Sequence, residues 1–332
     1  MKNVCVRMMM CLVIVVVCSG LGSAKEPLQP VTVQLNWMPT VQFAGILIAK
    51  EHGWYKDAGI DLTVRPWKEG VLPVEEVISG KALVGVAEGD DLIKIRAEGK
   101  PVKAIAVQFQ KSPMCLVSKK EQGVTKPEHL VGKRIGYSDP AALVMVKLML
   151  ASAGLGYEDV RPVEVRWDLQ PLLKGEVEVR TAFLNEEPLI LEEMGHEATY
   201  IPGFKYGYDF YSGAYFATDT MIRNQPEFIH KFMDVTLRGW EESFKNPEAS
   251  AKFIVGNYYH DGSATQQTES LKVFKFLARL AEGRKRLGWM EKEYWAKGID
   301  ILHKFKQIDR KFPADDVFTL KFLEDIYFGK KK

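Results

Sequence analysis

Asn36 and Trp37 set a two-way hydrogen-bonding amide beside a flat indole. They directly follow Val31-Thr32-Val33-Gln34-Leu35, which alternates apolar and polar residues like a strand. A planar heterocycle stacked on an indole gains roughly 0.5–1.5 kcal/mol beyond the burial of its area. A neighbouring amide can read the donor and acceptor pattern of the ring edge. Glu88, Asp90 and Asp91 follow a second apolar run, Ala82 to Ala87, where a carboxylate can accept hydrogen bonds from an exocyclic amine. Glu88 is the preferred acceptor because it comes first after the run. The same acids also suit helix capping, since Asp is a favoured N-cap. Trp67, Trp167 and Tyr211 stand near strand ends or chain crossings, where each can serve the core or face a ligand. Aromatic rings from two sides would sandwich a flat molecule.

Strand ends hold these side chains. Pro39 stops the first strand, and Val41 to His52 carries apolar residues at helical spacing up to Gly53. Leu62, Val64 and Pro66 read as the next strand. A short helix from Val74 to Ser79, the strand Ala82 to Ala87, a loop Glu88 to Asp91, a helix Leu92 to Ala97 and a strand Val102 to Gln108 follow. This alternation predicts a doubly wound α/β lobe. In such sheets ligands bind beyond the carboxyl ends of the strands. A crossing near Ser112-Pro113 leads to a second alternating unit, with extended stretches at Leu116–Ser118, Leu130–Tyr137, Val163–Trp167, Val179–Leu184 and Thr199–Ile201. Asp209 to Ser212 reads as the return crossing. Helices follow from Pro226, near Glu248–Tyr259, Gln267–Ala281, Lys292–Phe305 and Asp315–Phe322, expected to pack on the first lobe. The division is 1–24 leader, 25–115 with 213–332 as lobe 1, and 116–212 as lobe 2. Two lobes on two crossings make a hinge that closes around a ligand.

The leader has the form of a secretory signal: Lys2 and Arg7, the apolar run Met8 to Cys18, and Gly22-Ser23-Ala24 before a cut ahead of Lys25. Cys18 follows Val17, a poor context for lipid attachment. Removing the leader lowers the basic residues from 45 to 43, equal to the 43 acids, and gives nucleic acid no basic partner. Three of the four cysteines leave with it, so Cys115 can form no internal disulfide. The six histidines are scattered without metal-ligand spacing, and no nucleophile elbow, P-loop or dinucleotide fingerprint occurs.

The order LNW-x-P, FAG, Lys50-Glu51-His52-Gly53-Trp54-Tyr55 and AGID resembles the solute-binding components of ABC importers. The branch it resembles includes binders of thiamine pyrimidine precursors, with relatives for sulfonates, nitrate and riboflavin. That resemblance implies a bilobal periplasmic-binding-protein type II fold. It implies capture of a small planar solute, here a thiamine-related aminopyrimidine, by an exported monomer that delivers it to a membrane permease without a cofactor. Through the resemblance, Tyr137 falls at a ligand-facing turn, although Pro140-Ala141-Ala142 replaces the usual glycine-rich stretch. Asn185-Glu186-Glu187-Pro188 resembles the family's Asn-Glu-Pro turn with one extra acid, so either glutamate can be the matching one. The same resemblance extends to fungal pyrimidine synthases that use pyridoxal phosphate. Their reactive lysine and nearby histidine fall on Ala87 and Asp91 here, and their cysteine-rich run falls on Asp209 to Phe216, which holds no cysteine. The expectation is therefore a binding protein and not an enzyme.

Overall fold

A computed structural model describes residues 27–329; the leader and Cys18 lie outside them. Strands β1 (Gln29–Gln34), β2 (Ile60–Arg65), β3 (Val84–Ala87) and β4 (Val102–Phe109) alternate with helices α1 (Ala44–Glu51), α2 (Trp54–Asp57), α3 (Pro73–Ile78) and α4 (Gly89–Ala97). The chain then crosses to β5 (Met114–Lys119), β6 (Arg134–Tyr137), α5 (Leu143–Ser152), β7 (Arg161–Glu164), α6 (Gln170–Leu173), β8 (Val179–Phe183), α7 (Glu187–Glu193) and β9 (Ala198–Pro202). It returns through β10 (Ser212–Thr218) to α8 (Asp219–Asn224), α9 (Pro226–Lys245), α10 (Pro247–Asn257), α11 (Ala264–Ala278), α12 (Lys292–Lys304) and α13 (Lys321–Phe328).

The two sheets run β2-β1-β3-β10-β4 and β7-β6-β8-β5-β9. Both are mixed. Strand β10 is antiparallel to β3 and β4, and β5 is antiparallel to β8 and β9. In each sheet the reversed strand is the one arriving from the other lobe. The second sheet thus repeats the first, with β1, β2 and β3 matching β6, β7 and β8. No repeat is visible in the sequence, because the pattern lies in strand order. The result is the expected bilobal α/β architecture, each lobe presenting its strand ends to the other.

Several local expectations shift. Pro66 lies beyond β2, and β7 ends at Glu164, which leaves Trp167 in the following loop. Gly89 opens α4, so Asp90 and Asp91 form its first turn and not a loop. Asp315 lies in a short 3₁₀ turn, and the last helix begins only at Lys321. Gly53 stops α1 as anticipated, with φ at 72°, a left-handed conformation that glycine adopts without strain.

Helix α9 anchors the first lobe. Phe228, Phe232, Val235 and Trp240 are buried along it. Its contact with α1 is glycine-mediated: a Cβ on Gly239 would sit 1.9 Å from the Gly45 carbonyl oxygen, and one on Gly45 would sit 2.3 Å from the Trp240 ring. Trp240 Nε1 donates to the Tyr215 hydroxyl at 2.9 Å, as Gln108 Nε2 does at 3.2 Å, which ties α9 to β10 and β4. Gly239→Ala is therefore expected to destabilise the fold by about 1–3 kcal/mol through overpacking, despite alanine's better helix propensity. Urea unfolding reads this as a lowered midpoint; a raised midpoint would mean the helices have room to separate.

Candidate functional site

A cavity of about 400 Å³ lies between the lobes, bordered by residues that follow β1, β2 and β3 on one side and β6, β7 and β8 on the other. Trp37 is its centre. The Trp37 and Trp67 rings stack with centroids 5.6 Å apart and planes 28° apart. Trp167, reaching over from the second lobe, lies 6.2 Å from Trp37 at 42°. Trp67 follows β2 and Trp167 follows β7, so matching strands of the two sheets supply matching aromatics. The Trp67 amide donates to the Trp37 carbonyl at 3.1 Å, fixing the first-lobe pair. Trp167 is 59% exposed and is the ring with freedom to move. A flat ring between two others needs roughly 7 Å at van der Waals contact, so a small opening between Trp37 and Trp167 admits one. Phe109 and Phe274, stacked at 4.3 Å and 8°, extend the apolar wall.

The polar groups converge on the same space. Asn36 Nδ2 donates to Glu88 Oε1 at 3.3 Å, while Asn36 Oδ1 is buried and unpartnered. Asn185, which follows β8 of the second lobe, also has a buried, unpartnered Oδ1, while its backbone carbonyl accepts from Gln266. Two acceptors, one from each lobe, therefore lack donors. Burial pushes the Glu88 carboxyl up to about 7, with Asp90 and Asp91 adding repulsion against the hydrogen bonds from Ser212 and Asn36. Burial and Glu187 likewise raise Glu186 to about 7, opposed by Arg180. Glu187 Oε2 accepts from the Phe183 amide at 2.8 Å. Both glutamates border the cavity, so the extra acid of the Asn-Glu-Glu-Pro turn contributes as well. With Asp139, four carboxylates line the cavity and no lysine, arginine or histidine does.

Other expected residues fall elsewhere. Asp90 is buried and paired with Lys94 at 3.0 Å, and Asp91, half-exposed, shares that lysine. Asp91 borders a neighbouring chamber rather than the central cavity. Tyr137 is half-buried at the end of β6 and is not among the side chains lining the cavity. Asp139, two residues on, lines it instead. Tyr211 is core: its hydroxyl accepts from the Glu291 amide at 2.8 Å, and its ring packs on Tyr294 and Trp295. Its carbonyl accepts from the Gly89 amide, which seats the start of α4. Gln42, Ser212, Phe109, Phe183 and Phe274 were not singled out from sequence. Ser212 sat at the anticipated crossing, but nothing in the pattern of α11 marks Phe274. Among the described residues no cluster suited to a metal ion occurs.

The profile of the family described as NMT1/THI5 like matches residues 40–250, more than half of the chain. The chain belongs to that family. Within it, the chain is 23% identical over 303 residues to a formylaminopyrimidine-binding protein of Halalkalibacterium halodurans, covering 90% of this chain and 92% of that one. It is 22% identical over 308 residues to a 4-amino-5-hydroxymethyl-2-methylpyrimidine phosphate synthase of Legionella pneumophila, covering 91% and 95%. Its fold matches the crystal structure of the periplasmic aliphatic sulphonate-binding protein SsuA of Escherichia coli. The TM-score is 0.69 at 12% identity, over 90% of this chain and 99% of that one.

The Glu88 shift has a stability consequence with a definite sign. Its folded pKa lies above the unfolded value, so between about 4.5 and 7 the folded state holds a proton the unfolded state has lost. That contribution makes unliganded stability fall as pH rises through this window. Glu88→Gln removes it. Relative to the parent, the variant should gain on the order of 1–3 kcal/mol between pH 4.5 and pH 8. Thermal denaturation of both proteins across that range checks this, and a stability difference that does not vary with pH would contradict it.

Proposed function

We propose that the chain is an extracytoplasmic solute-binding protein of an ABC importer. Its solute is a small planar heteroaromatic carrying an amine, with a thiamine-related aminopyrimidine the first choice. The observation that carries this reading is the lining of the interlobe cavity: tryptophan faces, two unpartnered amide oxygens and four carboxylates, with no cationic side chain. An anion would require arginine forks or free backbone amides. A ring with an exocyclic amine supplies donors that the two amide oxygens lack, and its faces fit the indoles. The relative named for formylaminopyrimidine binding supports the same class. The expected leader supports export, and a two-lobed monomer closed on its solute suits docking to a permease.

The enzymatic reading draws on the relative named as a pyrimidine phosphate synthase. The residues here do not fit pyridoxal phosphate. Ala87, the position matching the reactive lysine, ends β3 with only a methyl group, and Lys94 is paired with Asp90 and Asp91. With no free amine at that strand end, a binding protein is the better account.

Native mass spectrometry of the protein from Lys25 onward, followed by thermal shift, tests the proposal. A ligand specific to the folded state at a hundredfold excess over Kd adds ~2.7 kcal/mol, roughly 5 °C for a chain of this size. An aminopyrimidine should give that shift, while taurine and nitrate give none. Trp37→Ala should abolish the response and leave the far-ultraviolet circular dichroism unchanged. A shift with the sulfonate or nitrate alone would overturn the assignment of solute class.

A further inference from the structure

Arg180 is 1% exposed, among the most deeply buried side chains in the protein, and the solute-binding reading gives it no role so far. It lies on β8, opposite Gly136 of β6 and Val117 of β5. Its Nε donates to the Thr181 carbonyl at 3.2 Å. One terminal nitrogen donates to the Asp168 carbonyl, and the other to the Trp167 carbonyl at 3.2 Å and to Ser138 Oγ at 3.1 Å. No carboxylate among the described residues makes a hydrogen bond with it. Glu187, Asp168 and Glu186 act on it only at longer range.

Burying a guanidinium without a bonded counter-ion is expensive. A neutral side chain does the corresponding work in the first lobe. There the buried Gln34 amide nitrogen lies 3.4 Å from the Arg65 carbonyl and 3.2 Å from the Pro66 carbonyl, just ahead of Trp67. In the second lobe Trp167 stands largely in solvent, 59% exposed. The planar fork of Arg180 spans two successive carbonyls of that loop and the hydroxyl of the loop after β6. A lysine could satisfy some of these acceptors but not in that fixed geometry.

We infer that Arg180 is a positioning residue: through the Trp167 and Asp168 carbonyls it holds the Trp167 loop so that the indole faces Trp37 across the cleft. This rests on the solute-binding proposal for its consequence in affinity, though not for its effect on the tryptophan pair. Because its donors are engaged by carbonyls and a hydroxyl, Arg180 presents no anion site despite its charge.

The test is a double-mutant cycle with Arg180→Lys and Trp167→Ala, titrated calorimetrically with 4-amino-5-hydroxymethyl-2-methylpyrimidine. Near-ultraviolet circular dichroism of the unliganded proteins reports the tryptophan coupling. Arg180→Lys should weaken binding about tenfold in the parent but less than about twofold in the Trp167→Ala background. It should also reduce the tryptophan signal much as Trp167→Ala does. An unchanged dichroism spectrum with unchanged affinity, or an equal loss in both backgrounds, overturns the inference. If Arg180→Lys fails to fold, Ser138→Ala, which removes one acceptor of the guanidinium, should give a smaller loss that again vanishes without Trp167; parental behaviour overturns the inference. Failure of the parent protein to bind this pyrimidine would remove the solute assignment, and the dichroism comparison would still decide the role of Arg180.

Discussion

Four carboxylates line one cavity that holds no cationic side chain, and burial of Glu88 and Glu186 disfavours their charged forms. That constraint shapes the site. The fold relieves part of it by placing the acids at helix starts: Glu88 precedes α4, Asp139 caps the turn before α5, and Glu186 and Glu187 open α7. Partial positive charge at a helix N-terminus favours a nearby anion. The relief is incomplete, because Glu88 and Glu186 still titrate near 7. An unliganded site held in this state is relieved further by a solute that donates hydrogen bonds. The unpartnered oxygens of Asn36 and Asn185 point to the same need.

The aromatic part of the site is arranged on different terms. Trp37 and Trp67 are tied together by a backbone hydrogen bond and offer a fixed face. Trp167 closes from the other lobe on a loop anchored from beneath. The two crossings support this division of labour. Lys111 on the outward crossing bonds Asp209 on the return crossing at 2.6 Å, and Ser112 donates its amide to the Phe210 carbonyl. Tyr294 and Lys297 of α12 bind the same aspartate, so both crossings are fastened to the first lobe. Asn36, Trp37 and Glu88 thus share a lobe with both fastened crossings, while Trp167 and Asn185 stand on the other.

Much of this was legible in the sequence because strand ends are. The alternation before Asn36 and the apolar run before Glu88 placed both residues at the cleft, and Trp67 and Trp167 followed from their nearness to strand ends. The misses have physical reasons. Asp90 was expected in a loop, but Gly89 starts the helix, and the aspartate pairs with Lys94 one turn on. Tyr211 stood at a crossing, but its hydroxyl finds the Glu291 amide within the first lobe. Tyr137 rested on resemblance across a turn that differs here. Phe109, Phe274 and Arg180 act through contacts between distant segments, which leave no local signature. The antiparallel strand in each sheet was equally hidden, since strand direction depends on which lobe the chain comes from.

The proposed basis of selection is that acceptors in the cleft take hydrogen bonds from an amine of the solute. The most direct measurement is calorimetric titration with 4-amino-5-hydroxymethyl-2-methylpyrimidine and with the same ring lacking the 4-amino group. Loss of that amine leaves the unpartnered amide oxygens of Asn36 and Asn185 without donors, and such sites reject analogues that lack the bonding group. Affinity is expected to fall by about a hundredfold or more without the amine. Equal affinity for the two rings would contradict it and leave the tryptophans alone to explain binding.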